Sequence, residues 1–279
     1  MTGSTAYSAT VDQPIGFFDS GIGGLPYLAR VRELLPEERF VYLADRRHFP
    51  YGVRSREAIR DIVITAVSEL VDTVRPKMVV VACNTASVVS LSELRRIFSL
   101  PFVGVVPAIK PAGAVAPGAR IGVLATERTV QDPYVANLIR EFAPNNELVL
   151  VSAGGLVEII ESRLSVTSCD EIIGVLRRSA EKLIAESVHV VVLGCTHFIH
   201  IRDELSELLG HGVPVLDSVE GVARQIVRVC GHAGHAPHSA PGGHEEDLLL
   251  VTGDDDGGEN YHRLAVKYNL RLLACESVK

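Results

Sequence analysis

A run of valines leading to a cysteine occurs twice in the chain, once in residues 79–87 and once in residues 190–197. Neither run alternates between apolar and polar side chains. Unbroken β-branched stretches of this kind predict strands that are covered on both faces, as in parallel sheets. Each cysteine is followed by polar residues of the types that begin helices. We therefore expect Cys83 and Cys195 to lie at the carboxyl ends of two buried parallel strands, where open α/β sheets bind their ligands.

The chemistry of two such thiols indicates proton transfer. A free thiol titrates near ~8.5, and a helix N-terminus favours its thiolate, which is a soft base and nucleophile. If both strand ends face one cavity, one thiolate can remove a proton from a carbon while the opposite thiol delivers one to the other face. Inversion of a stereocentre requires this arrangement of a base and an acid. The structural alternative is that both are ordinary buried core cysteines.

Composition narrows the class of protein. The 279 residues are 47% hydrophobic and 22% charged, which is an ordinary globular balance with room for two domains. A net charge of −7 without a basic stripe argues against nucleic acid as a partner, and the apolar runs are too short to cross a membrane. Five cysteines and a polar N-terminus without a signal-peptide core predict a reducing, cytoplasmic location.

The order of predicted elements indicates an α/β fold in two units. Strand and helix patterns alternate from Ile15 onward, stop at the proline-rich residues 107–111, and begin again at Arg120. We predict a disordered lead over residues 1–14, a first α/β domain from residues 15–106 plus 217–279, and a second from residues 107–216. Residues 248–251 are expected to form an edge strand of the first domain.

Two loops after predicted strands carry polar side chains. Asp19 is followed by a glycine-rich segment ending at Gly24, but Pro26 occupies the third glycine position of a dinucleotide fingerprint, which argues against a nucleotide. Asp19 either tunes a neighbouring group or caps the next helix. The second loop places Asp45 and Tyr51 where they can line a pocket, whereas its two arginines and histidine are typical of a solvated cluster.

Metal binding is the main alternative chemistry. Cys195, His197 and His200 are spaced closely enough to hold zinc, and four histidines lie near Cys230 in the glycine- and proline-rich loop of residues 231–244. Neither group has the regular spacing of a three-ligand catalytic site. We therefore expect no metal and no cofactor, a mobile histidine-rich loop, and a role for His197 in proton donation or in shifting the thiol pKa.

Four separated motifs resemble one family. Residues 15–24, 50–52, 83–86 and 194–197 resemble, in the same order, the glutamate racemases of the cofactor-independent aspartate/glutamate racemase superfamily. The resemblance covers nearly the whole chain from Ile15. It implies two flavodoxin-like, doubly wound parallel-sheet domains in pseudo-twofold relation, with glutamate bound between them. It also implies a supply of D-glutamate for peptidoglycan, and it leaves the oligomeric state open, a homodimer included.

Matching positions in that family imply roles for individual residues. Cys83 would act on one face of glutamate with support from Asp19, and Cys195 on the other face with support from His197. Glu161 and Asp45 match two further acidic residues of the catalytic machinery. The positions that hold the substrate's carboxylates and amino group are matched by Asp19, Ser20, Tyr51, Gly52, Asn84, Thr85, Thr196 and His197.

Three stretches depart from the family pattern. Arg46 and Arg47 replace small residues in the loop that begins at Asp45, residues 153–155 lack a usual cysteine and proline, and His200 is a change beside the second thiol. Two rivals remain: a racemase for aspartate or another small acid, and a binding or regulatory homologue that has lost turnover, which the loop with Arg46 and Arg47 keeps open.

Overall fold

The computed structural model describes residues 13–165, 168–232, 246–253 and 257–275. Most of the predicted N-terminal lead and the histidine-rich loop lie outside these ranges. Ten strands occur in the described chain: β1 (Ile15–Asp19), β2 (Phe40–Ala44), β3 (Met78–Val81), β4 (Phe102–Gly104), β5 (Arg120–Ala125), β6 (Glu147–Ser152), β7 (Val190–Leu193), β8 (Val215–Leu216), β9 (Leu248–Thr252) and β10 (Arg271–Cys275).

Helices alternate with the strands, as the parallel pairing requires. The α-helices of the described chain are α1 (Leu25–Leu34), α2 (Arg56–Val74), α3 (Asn84–Ile97), α4 (Ile109–Val115), α5 (Glu127–Gln131), α6 (Pro133–Phe142), α7 (Gly154–Arg163), α8 (Cys169–Ala185), α9 (Arg202–Leu209), α10 (Val219–His232) and α11 (Gly258–Lys267). Short 3₁₀ segments span Arg46–His48, Tyr51–Val53 and Thr196–Ile201. Within the described residues, no helix combines the length and the apolar character needed to cross a bilayer.

The strands form two parallel sheets, which confirms the predicted fold class. The first sheet has the order β10-β9-β2-β1-β3-β4 and the second has the order β6-β5-β7-β8. The order β2-β1-β3-β4 is therefore repeated as β6-β5-β7-β8, so that β3 and β7 are equivalent strands. The valine runs fill these two strands, every residue of which is buried. The repeat seen in the sequence is thus a repeat of the fold.

One local prediction was wrong. β9 is not an edge strand, because it pairs with β2 on one side and with β10 on the other. Residues 271–275 form that outer strand, with only half-buried and exposed side chains, so they lack the continuous apolar pattern that reveals a buried strand. The chain after Cys195 begins a 3₁₀ segment before α9, whereas the chain after Cys83 enters α3 directly.

The two sheets take their strands from separate stretches of the chain. The first sheet uses strands from residues 15–104 and 248–275, and the second uses strands from residues 120–216. α10 packs against α1 next to the first sheet, where the Tyr27 hydroxyl lies 2.8 Å from Ser218 Oγ and Arg30 Nε donates to Glu220 at 2.8 Å. The bounds of the two domains remain our proposal.

Candidate active site

A cavity of about 250 Å³ lies between the carboxyl ends of the two sheets, and both cysteines are on its wall. Cys83 and Cys195 are 6% and 7% exposed, so each thiol is shielded from solvent but open to the cavity. Both follow the equivalent strands β3 and β7. The residues lining the cavity are Ser20, Phe49, Pro50, Tyr51, Gly52, Val53, Cys83, Asn84, Thr85, Thr126, Glu127, Ser152, Gly154, Val157, Glu158, Cys195, Thr196 and His197.

The Cys83 thiol is held at the start of α3. Its sulfur caps the helix by accepting the Ala86 N–H at 3.5 Å, and it lies 3.6 Å from Ser20 Oγ. The Ser20 hydroxyl donates to Asp19 Oδ1 at 3.3 Å, so Asp19 reaches this thiol through Ser20. Burial first, and then the charge of Asp19, raise the pKa of Cys83 to about 12. Cys83 is therefore a protonated thiol at neutral pH in the substrate-free site.

The Cys195 thiol belongs to a buried chain of three groups. Its sulfur lies 3.8 Å from His197 Nδ1, and His197 Nε2 lies 2.8 Å from Glu161 Oε2. Burial opposes a charge on His197, but the bonds and charges of Cys195 and Glu161 outweigh it and hold the pKa of His197 well above its ordinary value. An imidazolium in this position donates one proton toward the sulfur and the other toward the carboxylate.

The carboxylate of Glu161 is fixed from three sides. Besides His197, its Oε2 accepts the Ile22 N–H at 2.9 Å, and its Oε1 accepts the Tyr261 hydroxyl. Glu161 is 4% exposed and lies behind His197, whereas Glu158, one helical turn earlier on α7, is exposed on the cavity wall. The structure therefore distinguishes two glutamates that the sequence pattern alone does not.

Asp19 links the two sheets beneath the cavity. Its Oδ1 accepts the Gly21 N–H at 3.0 Å, and its Oδ2 accepts the Thr196 hydroxyl at 3.3 Å. Burial is the largest influence and, against the nearby charge of His197, raises the pKa of Asp19 to about 7. Asp19 is not among the residues that line the cavity, whereas Ser20 and Thr196, which it contacts, are.

The glycine-rich loop after β1 allows the first sheet to approach these groups closely. A Cβ atom on Gly21 would meet the carboxylate of Glu161, and one on Gly23 would meet the side chains of Thr196 and His197. The glycines therefore allow a close contact between the two sheets.

Asp45 lies behind the cavity wall and not on it. It is fully buried and accepts the Tyr51 hydroxyl at 2.6 Å and the Thr252 hydroxyl at 2.7 Å, and its Oδ2 lies 2.9 Å from His48 Nδ1. Tyr51 does line the cavity. The structure thus places Asp45 where it fixes Tyr51. Of the predicted solvated cluster only Arg47 is exposed, whereas Arg46 is half-buried and His48 is half-buried against Asp45.

The predicted substrate-binding residues come together, with Asp19 as the exception. Ser20, Tyr51, Gly52, Asn84, Thr85, Thr196 and His197 all lie on the cavity wall. Asn84 is 2% exposed, and neither its side-chain nitrogen nor its side-chain oxygen has a partner within the described protein. A buried amide with an unused donor and acceptor on a cavity wall is suited to a ligand that carries both an acceptor and a donor.

The same architecture has been found in proteins of known activity. Residues 27–226 match the model of the Asp/Glu/hydantoin racemase family. The glutamate racemase of Shewanella sp. strain MR-7 is 41% identical over 216 residues, which are 77% of this chain and 79% of that protein. The chain belongs to the Asp/Glu/hydantoin racemase family.

Two further members of the family extend the likeness over more of the chain. The glutamate racemase of Sphingopyxis alaskensis is 40% identical over 235 residues, which are 83% of this chain and 87% of that protein. The crystal structure of Escherichia coli glutamate racemase in complex with L-glutamate and the activator UDP-MurNAc-Ala has a TM-score of 0.82 and 32% identity, covering 94% of this chain and 97% of that one.

The structure adds wall residues that motif reading missed in this family member. Thr126 follows β5 as Ser20 follows β1, and its hydroxyl lies 3.4 Å from Thr85 Oγ1 and 3.0 Å from Thr129 Oγ1. The equivalence of β1 and β5 is the signal that could have identified it. Residues contributed by α5, by the end of β6 and by α7 carry no such signal, since only the packing of the second sheet places them there: Glu127, Ser152, Gly154, Val157 and Glu158.

The zinc alternative gains no support from the geometry. Among the described residues, no group of three histidine, cysteine or acidic side chains is placed to hold a metal ion. His200 Nε2 lies 3.1 Å from the Ile22 carbonyl oxygen, so this ring faces the glycine-rich loop.

Proposed function

We propose that the protein is a glutamate racemase that interconverts L- and D-glutamate by proton transfer at Cα, with Cys83 and Cys195 serving opposite faces of the substrate. The observation that carries this proposal is the pair of shielded thiols at equivalent strand ends on one cavity wall. The relatives named above are glutamate racemases whose similarity extends over most of this chain, which supports glutamate as the substrate. No cofactor is part of the proposal.

The difficult step is removal of the weakly acidic Cα–H. In one direction the Cys195 thiolate takes this proton, and Cys83, as a thiol, gives its own proton to the opposite face of the planar intermediate. In the other direction the two thiols exchange roles. The forward reaction leaves Cys83 as the thiolate and Cys195 as the thiol, which is the enzyme form that acts in the other direction. Because burial raises the pKa of Cys83 to about 12, the thiolate formed there is a strong base. Exclusion of water strengthens every interaction with the developing charge.

The side chains beside each thiol have distinct parts in this mechanism. His197, held by Glu161, donates toward Cys195 and balances its negative charge. The Ser20 hydroxyl donates a hydrogen bond to Asp19, and its oxygen accepts one from the Cys83 thiol, so Asp19 acts on that thiol through Ser20. Asp19, Glu161 and Asp45 act through other residues, so we class them as positioning residues.

Substrate binding relies on hydroxyl, amide and N–H groups of the wall. Such donors satisfy carboxylate oxygens without a fixed positive charge, which suits an amino acid with two carboxylates. Asn84, with both polar atoms available, is placed to receive the α-carboxylate and the amino group together. Ser20, Tyr51, Gly52, Thr85 and Thr196 supply the remaining polar contacts.

In the cell we propose that the enzyme supplies D-glutamate for peptidoglycan from the cytoplasm. The crystallised Escherichia coli relative was bound to L-glutamate and to an activator named UDP-MurNAc-Ala, which supports a link to cell-wall precursors. We propose a homodimer as the assembly to test first, by light scattering coupled to size-exclusion chromatography.

A coupled assay with L-glutamate, D-glutamate and both enantiomers of aspartate tests the proposed activity. We expect turnover of both glutamates and little turnover of aspartate. Preference for aspartate would establish the rival racemase. Binding of glutamate without turnover would instead establish the regulatory homologue.

A further inference from the structure

His200 connects the second sheet to the loop after β1. It lies in the 3₁₀ segment Thr196–Ile201, three residues beyond His197, and its Nε2 is 3.1 Å from the Ile22 carbonyl oxygen. Burial lowers the pKa of His200 to about 3, so the ring is neutral at physiological pH and donates its single N–H to that carbonyl. The edge of the ring packs on Tyr268, with centroids 6.5 Å apart and planes at 85°.

Ile22 connects His200 to the groups beside Cys195. Its N–H donates to Glu161 Oε2 at 2.9 Å, and the same oxygen lies 2.8 Å from His197 Nε2. The Ile22 carbonyl also accepts the Leu25 N–H at 3.2 Å, within its own loop, so His200 is the donor that reaches it from the second sheet. These contacts connect Cys195 to His200 through His197, Glu161 and Ile22.

Residues on both sides of Ile22 are also held by Tyr42, on β2 of the first sheet. The Tyr42 hydroxyl donates to the Gly21 carbonyl at 2.9 Å and accepts the Gly24 N–H at 2.9 Å. Ser20 and the Ala86 N–H hold the Cys83 sulfur directly. Loosening the Ile22 peptide should therefore disturb the groups around Cys195 more than those around Cys83.

We propose that His200 is a positioning residue for one of the two proton transfers. Its hydrogen bond to the Ile22 carbonyl fixes the backbone at Ile22. The N–H of the same residue holds the Glu161 oxygen against His197 and so orients His197 toward Cys195. The inference rests on the proposed racemase activity and adds a residue at which this chain departs from the family pattern.

Isotope effects separate this role from a general loss of structure. The equilibrium constant between enantiomers is one, so kcat/KM must fall equally in both directions, whichever transfer is impaired. With glutamate deuterated at Cα, the isotope effect on kcat/KM should rise for the enantiomer whose Cα–H faces Cys195. It should fall for the other enantiomer, because the transfer after its abstraction by Cys83 has become limiting.

The test compares His200→Leu, which removes the donor, with His200→Gln, whose amide nitrogen can replace Nε2–H. Loss of one hydrogen bond predicts a decrease in kcat/KM of roughly 3- to 10-fold for His200→Leu, and substantial recovery for His200→Gln. His189→Leu, at an exposed site in the same half of the chain, is the matched control. If His200→Leu does not fold by circular dichroism, His200→Met provides a second side chain without the donor.

The outcomes are distinguishable. Divergent isotope effects in the donor-free variant, with recovery by glutamine, support the inference. The inference is overturned, while the racemase activity stands, if the isotope effects of both enantiomers are unchanged from the wild type or rise together. It is also overturned if His200→Gln is as impaired as His200→Leu. An inactive wild-type protein would overturn the proposed function itself.

Discussion

Replacing Glu161 by glutamine tests whether a buried negative charge orients His197. Glutamine has nearly the same shape, and its amide oxygen can accept from Ile22 and His197 if its NH₂ group faces the Tyr261 hydroxyl, which can turn to accept. The substitution therefore removes the charge and largely retains the geometry. The expected result is a lower kcat with little change in KM, because Glu161 does not line the cavity.

The magnitude follows from the environment of the pair. A hydrogen bond to a charged group stabilises by about 1.5–3 kcal/mol and a neutral one by about 0.5–1.5 kcal/mol, so the midpoints of the two ranges differ by about 1 kcal/mol. Both partners are buried, and breaking a buried ion pair costs about 3 kcal/mol or more. These limits correspond to a decrease in kcat of roughly 5- to 150-fold.

The racemisation assay, run in both directions over a range of pH, measures this effect. The loss of the carboxylate also lowers the pKa of His197, so activity that needs the imidazolium should decline at a lower pH than in the wild type. Glu171→Gln, on the neighbouring helix α8, is the matched control and should leave kcat within about twofold, since that side chain is exposed and does not line the cavity. Unchanged kcat with a raised KM in Glu161→Gln would refute the reasoning and assign Glu161 to binding.

Three further predictions concern other parts of the site. Asp19→Asn should abolish activity yet raise the free energy of unfolding more at pH 8 than at pH 4. The reason is that folding raises the pKa of the Asp19 carboxyl to about 7. This carboxyl therefore lowers the free energy of unfolding of the wild-type protein as the pH rises above the pKa of the unfolded state, by at most about 4 kcal/mol. Urea unfolding at both pH values measures this, and a larger gain at pH 4 would contradict it. Asp45→Asn should raise KM more than it lowers kcat, because Asp45 holds the wall residue Tyr51; steady-state kinetics decide, and a pure kcat loss would count against that role. Activity should survive exhaustive chelation and dialysis, and recovery only on adding zinc or pyridoxal phosphate would contradict the proposed mechanism.

Strand positions and the thiols were predictable because their physical cause is local. Three consecutive valines favour a strand that is buried on both faces, as in a parallel sheet, and a cysteine that follows such a strand then lies at the ligand-binding edge. The equivalence of β3 and β7 followed from the repeated pattern. β10 was missed because its exposed and half-buried side chains have no such pattern.

The groups behind the cavity wall were less predictable, since their roles depend on contacts between the two sheets. Glu158 and Glu161 are one turn apart on a single helix, and only the packing of α7 shows that Glu161 is the one behind His197. Asp45 comes directly after β2 and Asp19 ends β1, yet Asp45 lies behind Tyr51, whose hydroxyl it accepts. The bond from His200 to Ile22 joins residues far apart in the chain, and no spacing rule indicates it.

The measurement that tests the central claim most directly is the fate of the Cα proton in deuterated water, starting from each enantiomer. One thiol on each face predicts that the product carries solvent deuterium at Cα, whereas recovered substrate stays largely protiated at early times, because a thiol returns the single proton that it removed. Cys83→Ser and Cys195→Ser should each abolish racemisation, since a hydroxyl is far less acidic than a thiol. Substantial early deuterium in recovered substrate, or full activity in either serine variant, would contradict the two-thiol mechanism.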